Sequence, residues 1–263
     1  MTSDLTHSAP IAHPLADLPR SGPEPDGAEV IRVLTYNIRS QRDDRGALVR
    51  VIRACEPDLV CVQESPRYWR PAGQAAWLAR RTGTVVLSGG GRAAAGPLLL
   101  GSLRATVLRR VDRLLPKRRG LHARGFATAV VRIGRAAPFA LTSCHLSVNP
   151  PERQDQFRLL PEQQAGLEHA VIGGDFNEHP EDPGWQWLAE RYQDGWATAP
   201  WGDEYTSRPG DPFQRLDAVF ATPTIRVLAC GVPPLPPADL LAATDHLPVV
   251  AVLRVPAGGG SRG

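Results

Sequence analysis

The feature that most constrains the fold is a hydrophobic run that ends in two glycines and two polar side chains. Residues 171–177 have the sequence Val-Ile-Gly-Gly-Asp-Phe-Asn. The apolar residues are typical of a buried strand, and the glycines allow another segment to approach the backbone closely. Asp175 and Asn177 follow at the end of that strand. The run therefore predicts a strand inside a core, with a carboxylate and an amide at its end.

Other segments along the chain repeat this arrangement, with a polar side chain just inside or just after a hydrophobic run. The polar residues concerned are Asn37, Glu64, His145, Asp217, Asp245 and His246. Each of them alone is explained equally well by a turn, a strand end in solvent or a structural histidine. Their joint occurrence favours a functional site built from distant parts of the chain.

The composition favours one α/β domain. With 263 residues and 42% hydrophobic content, the chain is long enough for a sizeable core and short for two domains. Apolar runs with strand character outnumber segments with helical spacing, and many connections are too short for a crossover helix. We therefore expect largely antiparallel pairing, with helices covering the outer faces. The domain is predicted over 29–256, after a disordered leader (1–28) rich in Pro, Ser, Asp and Gly and before a flexible tail (257–263).

Charge and cysteine content restrict the partners and the compartment. The net charge of +3 gives no strong electrostatic reason for a polyanionic partner. The four cysteines lack metal-ligand spacing, and we interpret them as reduced thiols of a cytoplasmic protein. No apolar run approaches the roughly 20 residues needed to cross a bilayer, so no membrane span is expected. No protein partner is predicted.

The polar residues have the chemistry that phosphoester hydrolysis requires. Such a reaction needs an activated water, a cation on the phosphoryl oxygens and a group that stabilises the leaving oxygen. Glu64, at the end of an apolar strand, is the best candidate ligand for a hard cation, and Asn37 and Asp245 can add oxygens. For His246, the ring partner is Asp217 rather than its neighbour Asp245, because adjacent residues point to opposite sides of a strand.

Taken in order, these segments resemble the endonuclease/exonuclease/phosphatase superfamily, the DNase I-like phosphoesterases. The matching segments are 34–39 (Leu-Thr-Tyr-Asn-Ile-Arg), 57–64 (Pro-Asp-Leu-Val-Cys-Val-Gln-Glu), 142–146 (Thr-Ser-Cys-His-Leu), 173–177 (Gly-Gly-Asp-Phe-Asn), 215–217 (Arg-Leu-Asp) and 244–248 (Thr-Asp-His-Leu-Pro). The resemblance implies a four-layer α/β sandwich, in which two mixed, largely antiparallel β-sheets are flanked by α-helices.

The resemblance also implies roles for the site residues. Glu64 resembles the metal ligand, with Asn37 and Asp245 near the cation, which is Mg²⁺ or Mn²⁺. The catalytic residues that it implies are His145 at the phosphate and leaving group, Asp175 and Asn177 at the attacking water and phosphoryl oxygens, and the pair Asp217 and His246 that prepares the nucleophile. Whether Asp175 or His246 removes the proton is open at this stage.

Two positions depart from the family pattern. Pro97 stands where related bacterial sequences often carry an asparagine, and it offers neither an amide side chain nor a backbone donor. Arg39 stands where AP endonucleases have an acidic residue, which weakens a specific AP-endonuclease assignment.

The functional hypothesis is a divalent-metal-dependent hydrolase of phosphodiester bonds, of nuclease type, with a phosphoester substrate that includes nucleic acid as one option. The alternatives are a phosphomonoesterase or lipid or inositol phosphatase, and a non-catalytic binding module with the same fold. Alanine at Glu64 or His246 is expected to remove most activity with nearly unchanged stability. The basic segment 104–124 is interpreted as a solvated loop, and most tryptophans are interpreted as core residues. Arg153 is interpreted as a structural brace, and no role is assigned to His122.

Overall fold

The core is formed by strands whose residues are buried on both faces. In the computed structural model, which describes residues 14–259, all nine residues of Glu29–Asn37 and all six of Ala170–Asp175 are buried. Strands covered on both faces have near-continuous rather than alternating apolar runs. This is the pattern that the sequence shows at 171–177 and in the segments that resemble it.

Strands and helices follow in close succession along the chain. The strands are β1 (Gly22–Pro23), β2 (Glu29–Asn37), β3 (Leu59–Gln63), β4 (Val85–Gly89), β5 (Leu98–Gly101), β6 (Ala105–Arg110), β7 (Arg113–Leu114), β8 (Gly125–Ile133), β9 (Phe139–His145), β10 (Ala170–Asp175), β11 (Gln193–Asp194), β12 (Asp217–Ala221), β13 (Arg226–Gly231) and β14 (Val249–Val255). The helices are α1 (Arg45–Ala54), α2 (Pro71–Thr82), α3 (Pro150–Leu159), α4 (Pro183–Ala189), α5 (Gly195–Thr198) and α6 (Pro237–Ala243), with short 3-10 helices at Arg39–Gln41 and Pro161–Gln164.

Within residues 14–259 these strands form two sheets of seven strands each. The first sheet has the order β13-β14-β2-β3-β5-β4, with β1 paired to β2, and the second has the order β11-β12-β10-β9-β8-β6, with β7 paired to β8. Each sheet contains one parallel pair in the described part of the chain, β2 with β3 and β9 with β10, and the other pairs are antiparallel. The predicted mixed, largely antiparallel pairing is confirmed.

The layers are held by three apolar clusters. One cluster fills the space between the sheets and includes Ile31, Leu141 and Val171. A second joins α1, α2 and α6 to the outer face of the first sheet. In a third, Phe157 of α3 and Trp185 of α4 pack on the outer face of the second sheet. The order helix, sheet, sheet, helix is the predicted four-layer sandwich.

Buried hydrogen bonds join the two sheets just before the ends of their parallel strands. The side-chain amide of Gln63 donates to Ser143 Oγ at 3.1 Å, and that hydroxyl donates to the carbonyl of Val62 at 2.8 Å. Gly173 lies beside these hydrogen bonds, where an added Cβ would approach the Cys61 side chain to 3.0 Å. The glycine predicted to allow close approach therefore sits where the two sheets meet.

The N-terminal segment corrects the predicted leader. Leu15 and Leu18 are buried in a small cluster with Val30 and Val252, and Gly22–Pro23 pairs with β2. These two leucines supply an apolar contact that the Pro- and Gly-rich composition concealed. The packed structure thus includes Leu15 and Leu18, and residues 1–13 of the predicted leader lie outside the described residues.

At the other end, Ala257 bridges Ala136, so the first residues of the predicted tail lie against the sandwich. Residues 260–263 lie outside the described range. In the described part of the chain, no helix combines the length and the apolar character that a membrane crossing requires. All four cysteines are buried free thiols.

We predict that Gly174→Ala destabilises the fold by about 1–3 kcal/mol, because a methyl group there would overlap the Sγ atom and the carbonyl oxygen of Cys144 on the neighbouring strand. Urea unfolding measures the effect. Gly22→Ala, where an added Cβ meets nothing within 4 Å, is the matched control and should change the free energy of unfolding little. Equal unfolding midpoints for both variants would contradict the close packing of β9 and β10.

Candidate active site

The parallel pairs bring four predicted residues to one end of the sandwich. In the first sheet, Asn37 ends β2 opposite Gln63, and Glu64 follows directly. In the second sheet, Asp175 ends β10 directly opposite His145 at the end of β9. Because the carboxyl ends of parallel strands lie at the same end of a sheet, these side chains converge.

The antiparallel neighbours complete the group. Asp217 begins β12 opposite Asp175, and His246 lies three residues before β14, whose Val249 pairs with Thr35 of β2. Because β12 and β14 run antiparallel to their neighbours β10 and β2, residues at or just before the start of β12 and β14 lie beside residues at the ends of β10 and β2.

Asp175 is the centre of the arrangement. Its Oδ2 atom accepts a hydrogen bond from the Asn37 amide at 3.0 Å and lies 3.4 Å from His145 Nε2 and 3.8 Å from His246 Nε2. Its Oδ1 atom accepts from the backbone N–H of Asn177 at 3.0 Å. One carboxylate therefore contacts residues of both sheets.

His246 is held in its charged form by a buried carboxylate. His246 Nδ1 lies 2.8 Å from Asp217 Oδ2, and Asp217 is 1% exposed. Burial acts to lower the pKa of His246, but Asp217, by its charge and its hydrogen bond, and then Asp175 and Asp245 raise the pKa to about 10. The ring contacts Asp217 rather than Asp245, as predicted, although Asp245 and His246 lie before β14 rather than within a strand.

His145 has the opposite protonation state. Burial lowers its pKa to about 3, against the charge of Asp175, and the nearby Arg124 lowers it further. At neutral pH the site therefore presents one neutral imidazole and one imidazolium, both beside Asp175. This asymmetry depends on the Asp217 contact, which His145 lacks.

Asn177 has a fixed orientation. Its backbone φ is +50°, and its side-chain amide donates to the carbonyl of Leu146 at 2.9 Å. A non-glycine residue with this φ costs about 1–3 kcal/mol and is typical of functional sites. The Asn177 side chain is thereby held in the lining of the cavity that Asp175 also lines.

The structure brings together part of the predicted metal-ligand set. Glu64, with a φ of +52°, accepts from the Asn37 amide at 3.3 Å and lines the cavity. Asn37 therefore turns its nitrogen towards Glu64 and Asp175. Asp245 lies apart: its carboxylate is half exposed and pairs with Arg39 at 3.2 Å.

The residues at this end of the sandwich fit a hard divalent cation. The carboxylates of Glu64 and Asp175 line one cavity, and the Oδ1 atom of Asp217 is buried without a hydrogen-bond partner among the described residues. Ligand atoms of Asp175, Asp217 and His246 also lie within 4.8 Å of one another. Carboxylate oxygens are the ligands that Mg²⁺ and Mn²⁺ prefer. Glu64, which is only partly buried, offers the more open oxygens to such an ion, whereas Asp175 is 2% exposed.

The site opens into a polar cavity of about 400 Å³. Its lining consists of Ser40, Arg42, Glu64, Ser65, Arg67, Ala95, His122, Arg124, His145, Val148, Asp175, Asn177 and His246. The volume lies within the range of roughly 300–1,000 Å³ typical of small-molecule sites. The predicted residues Glu64, His145, Asp175, Asn177 and His246 thus share one surface.

Sequence reasoning missed the basic residues of this cavity. His122 received no role, and Arg124 was interpreted as part of a solvated loop. A signal was present, because Arg124 directly precedes the buried strand β8 just as other site residues adjoin buried strands. Its pKa is lowered by burial, while Asp175 and Glu64 oppose that effect.

Two other arginines have structural roles. Arg153 donates to the carbonyls of Ser147 and Val148, both at 3.1 Å, which confirms its interpretation as a brace. Arg215 pairs with the buried Asp194 at 2.8 Å rather than with Asp217. The carboxylate of Asp217 is therefore available to pair with His246.

The sequence model of the Endonuclease/Exonuclease/phosphatase family matches residues 34–246. The chain belongs to this family. Members of the family are hydrolases of phosphoester bonds and typically depend on divalent cations. No curated protein sequence matches the chain significantly.

Solved structures share the fold at low sequence identity. The endonuclease/exonuclease/phosphatase from Bacteroides vulgatus is 21% identical, with 86% of this chain and 99% of that chain covered and a TM-score of 0.72. The mannosyl-6-phosphatase of Bacteroides thetaiotaomicron is 16% identical, with 85% and 99% covered and a TM-score of 0.69. The human Nocturnin catalytic domain, solved with bound sulfate, is 17% identical, with 85% and 93% covered and a TM-score of 0.64.

The geometry changes the stability expected for alanine at His246. We predict that His246→Ala lowers the free energy of unfolding by about 1–3 kcal/mol, because it leaves the buried Asp217 carboxylate without its partner. Adding Asp217→Asn, which removes the charge, should restore part of the loss. Thermal unfolding of the two single variants and the double variant measures this coupling.

Glu64→Gln is the control, since Glu64 is only partly buried and its replacement should leave stability nearly unchanged. Strictly additive effects of His246→Ala and Asp217→Asn would contradict the pairing of these side chains.

Proposed function

We propose that the chain is a divalent-metal-dependent hydrolase of phosphodiester bonds, of nuclease type. The observation that carries the proposal is the convergence of Asp175, His145 and the His246–Asp217 pair beside Glu64 in one cavity. These groups supply a base, two hydrogen-bond donors and a hard ligand, which are the elements that in-line attack by water requires.

Asp175 is the better candidate for the base. The second nitrogen of His246 lies 3.8 Å from Asp175, and its first is engaged by Asp217, so the ring is arranged as a cationic donor. Asp175 takes the proton from water as the water oxygen bonds to phosphorus. His246 donates to a phosphoryl oxygen. This assigns the proton transfer that the sequence left open.

The bond from phosphorus to the leaving oxygen breaks on the side of His145 and Asn177, and the departing oxygen takes its proton from solvent water. His145 is neutral, so it donates a hydrogen bond without bringing a charge, and Asn177 is held by the Leu146 carbonyl. The cation, when bound at Glu64, supplies positive charge to the phosphoryl oxygens. Asn37 keeps Glu64 and Asp175 at a fixed separation by donating to both.

Nucleic acid is supported as substrate by two exposed aromatic residues that follow the site residue Glu64 along the chain. Tyr68 and Trp69 are 71% and 89% exposed, and they follow Arg67 on the segment that leaves Glu64. Exposed rings stack on bases, and adjacent arginines contact the phosphate backbone. Trp185, by contrast, is buried in the core and offers no stacking surface.

A phosphomonoesterase is the second candidate. The cavity of about 400 Å³ suits a small ester, and a neighbour in fold is a mannosyl-6-phosphatase. A non-catalytic binding module is the third, and absence of metal binding in calorimetry would favour it. The four buried thiols also support a reducing compartment such as the cytoplasm.

We predict hydrolysis of at least one phosphodiester in the presence of Mg²⁺ or Mn²⁺ and its loss in EDTA. The panel contains single-stranded DNA, duplex DNA, RNA, bis(p-nitrophenyl) phosphate and p-nitrophenyl phosphate. Turnover of the monoester alone would select the phosphomonoesterase. Undiminished turnover in EDTA would exclude the metal-dependent mechanism.

We predict that Asp175→Asn lowers kcat by about 10²–10⁴-fold, because it removes the base and keeps the shape of the side chain. Steady-state kinetics on the best diester measures the loss. Arg132→Gln, at an exposed position of β8, is the control and should retain wild-type kcat. A kcat for Asp175→Asn within a few fold of wild type would disprove the assigned base.

A further inference from the structure

One wall of the cavity has no role in the proposed chemistry. It consists of Ser65, Arg67, His122 and Arg124, and we refer to it as the basic wall. Ser65 and Arg67 follow Glu64 along the chain, whereas His122 and Arg124 precede β8. The wall therefore joins residues of both sheets beside the candidate metal ligand.

Ser65 is a buried hydroxyl without a partner. The residue is 1% exposed, its Oγ atom has no hydrogen-bond partner among the described residues, and it lines the cavity. The Nε atom of Arg124 is likewise buried and unpartnered in residues 14–259. Leaving a buried donor unsatisfied costs about 1–3 kcal/mol, so two such donors on one surface indicate a missing acceptor.

The two arginines are held side by side. Arg67 Nη1 donates to the carbonyl of Ala123 at 3.1 Å, and Ala123 directly precedes Arg124. Neither guanidinium forms an ion pair with a carboxylate within residues 14–259. Adjacent like charges that lack a direct ion pair are stabilised by an anion, and guanidinium groups match the geometry of phosphate.

The charge of the cavity exceeds what one phosphodiester needs. Three arginines and the His246 imidazolium stand against the carboxylates of Glu64, Asp175 and the His246 partner Asp217, which leaves one net positive charge. A divalent cation raises this to three, and the diester contributes a single negative charge. Two positive charges remain, which matches the charge of a second phosphate group in the form of a phosphomonoester.

We propose that Ser65, Arg67 and Arg124 form a second anion subsite, which binds a phosphate group of the substrate next to the scissile phosphate. The inference rests on the proposed function and specifies its substrate class: a phosphoester that carries an additional phosphate. Both the serine hydroxyl and the Arg124 Nε–H donate to the phosphate oxygens. An oligonucleotide and a small bisphosphorylated ester both supply this chemistry.

Binding of inorganic phosphate to the metal-free protein tests the subsite without activity. In EDTA the catalytic end lacks its cation, so calorimetry reports phosphate held by protein groups. We predict that Arg67→Gln and Arg124→Gln each weaken phosphate binding by about tenfold or more, since each removes a charge-assisted contact.

Ser65→Ala removes only the hydroxyl, cannot disturb a hydrogen bond made by that atom within residues 14–259, and should weaken binding by a few fold. Arg132→Gln is the matched control on β8 and should bind phosphate as the wild type does. Thermal unfolding of each variant identifies any that fails to fold. No measurable phosphate binding to the wild type, or equal affinity in all variants, would overturn the subsite.

Substrate pairs identify the source of the second phosphate. The wild type should hydrolyse a dinucleotide with a 5′-phosphate with a kcat/KM about tenfold above that of the unphosphorylated dinucleotide, or show this preference for a bisphosphorylated small ester over its monophosphate. The ratio should fall towards one in Arg124→Gln and persist in Arg132→Gln. Ratios near one for both pairs in the wild type would overturn the inference.

The two proposals fail in distinguishable ways. If no substrate is hydrolysed but phosphate binding depends on Arg67 and Arg124, the proposed function is wrong and the subsite stands. If diesters are hydrolysed but phosphate binding is insensitive to these residues, the subsite is wrong and the function stands.

Discussion

The site depends on one constraint: two parallel strand pairs, one in each sheet, must end at the same level of the sandwich. The hydrogen bond of 3.0 Å from Asn37 to Asp175 joins the two ends. Below it, Gln63 donates to Ser143 across the same interface. Sliding one sheet along the other would leave these buried polar groups unsatisfied, at a cost of about 1–3 kcal/mol for each. Apolar packing alone specifies no such register, so the polar contacts fix the relative position of the two sheets.

The same constraint determines the charge states at the site. Convergence buries Asp175 and Asp217 almost completely, and the two carboxylates act differently on the two imidazoles. His246 contacts Asp217 at 2.8 Å and its pKa rises, whereas His145 has only the longer contact of 3.4 Å to Asp175 and its pKa falls through burial. The two histidines thus differ in charge: His246 becomes a cationic hydrogen-bond donor and His145 a neutral one. The difference arises from strand positions, because Asp217 begins the strand next to Asp175.

Much of this was predictable from the sequence, and the omissions have physical causes. Strands such as β2, β3 and β10 were predicted because strands buried on both faces have continuous apolar runs. The candidate site residues were predicted because they follow those runs in the order of a known family. The packing of residues 14–28 was missed, because Leu15 and Leu18 are isolated among prolines and polar residues. The short helices α4, α5 and α6 have too few turns to show a helical period. The basic wall was missed because its hydrogen-bond donors lie far apart in the sequence and come together only when strands from both sheets meet.

The departures from the family pattern acquire a consistent explanation in the structure. Pro97 lacks the amide of its usual counterpart, but its carbonyl accepts from the Gly90 N–H at 2.7 Å, and the Gly96 carbonyl accepts from the Ser65 N–H at 3.1 Å. The glycine-rich segment before Pro97 is thereby folded against Ser65, which lines the cavity and whose hydroxyl has no hydrogen-bond partner within residues 14–259. Arg39 pairs with Asp245 and removes that carboxylate from the lining. Both changes reduce the neutral and acidic contacts available at the site and leave the arginines dominant. In the proposed enzyme, selectivity therefore comes from the charge of the loops, while the strand ends supply the chemistry.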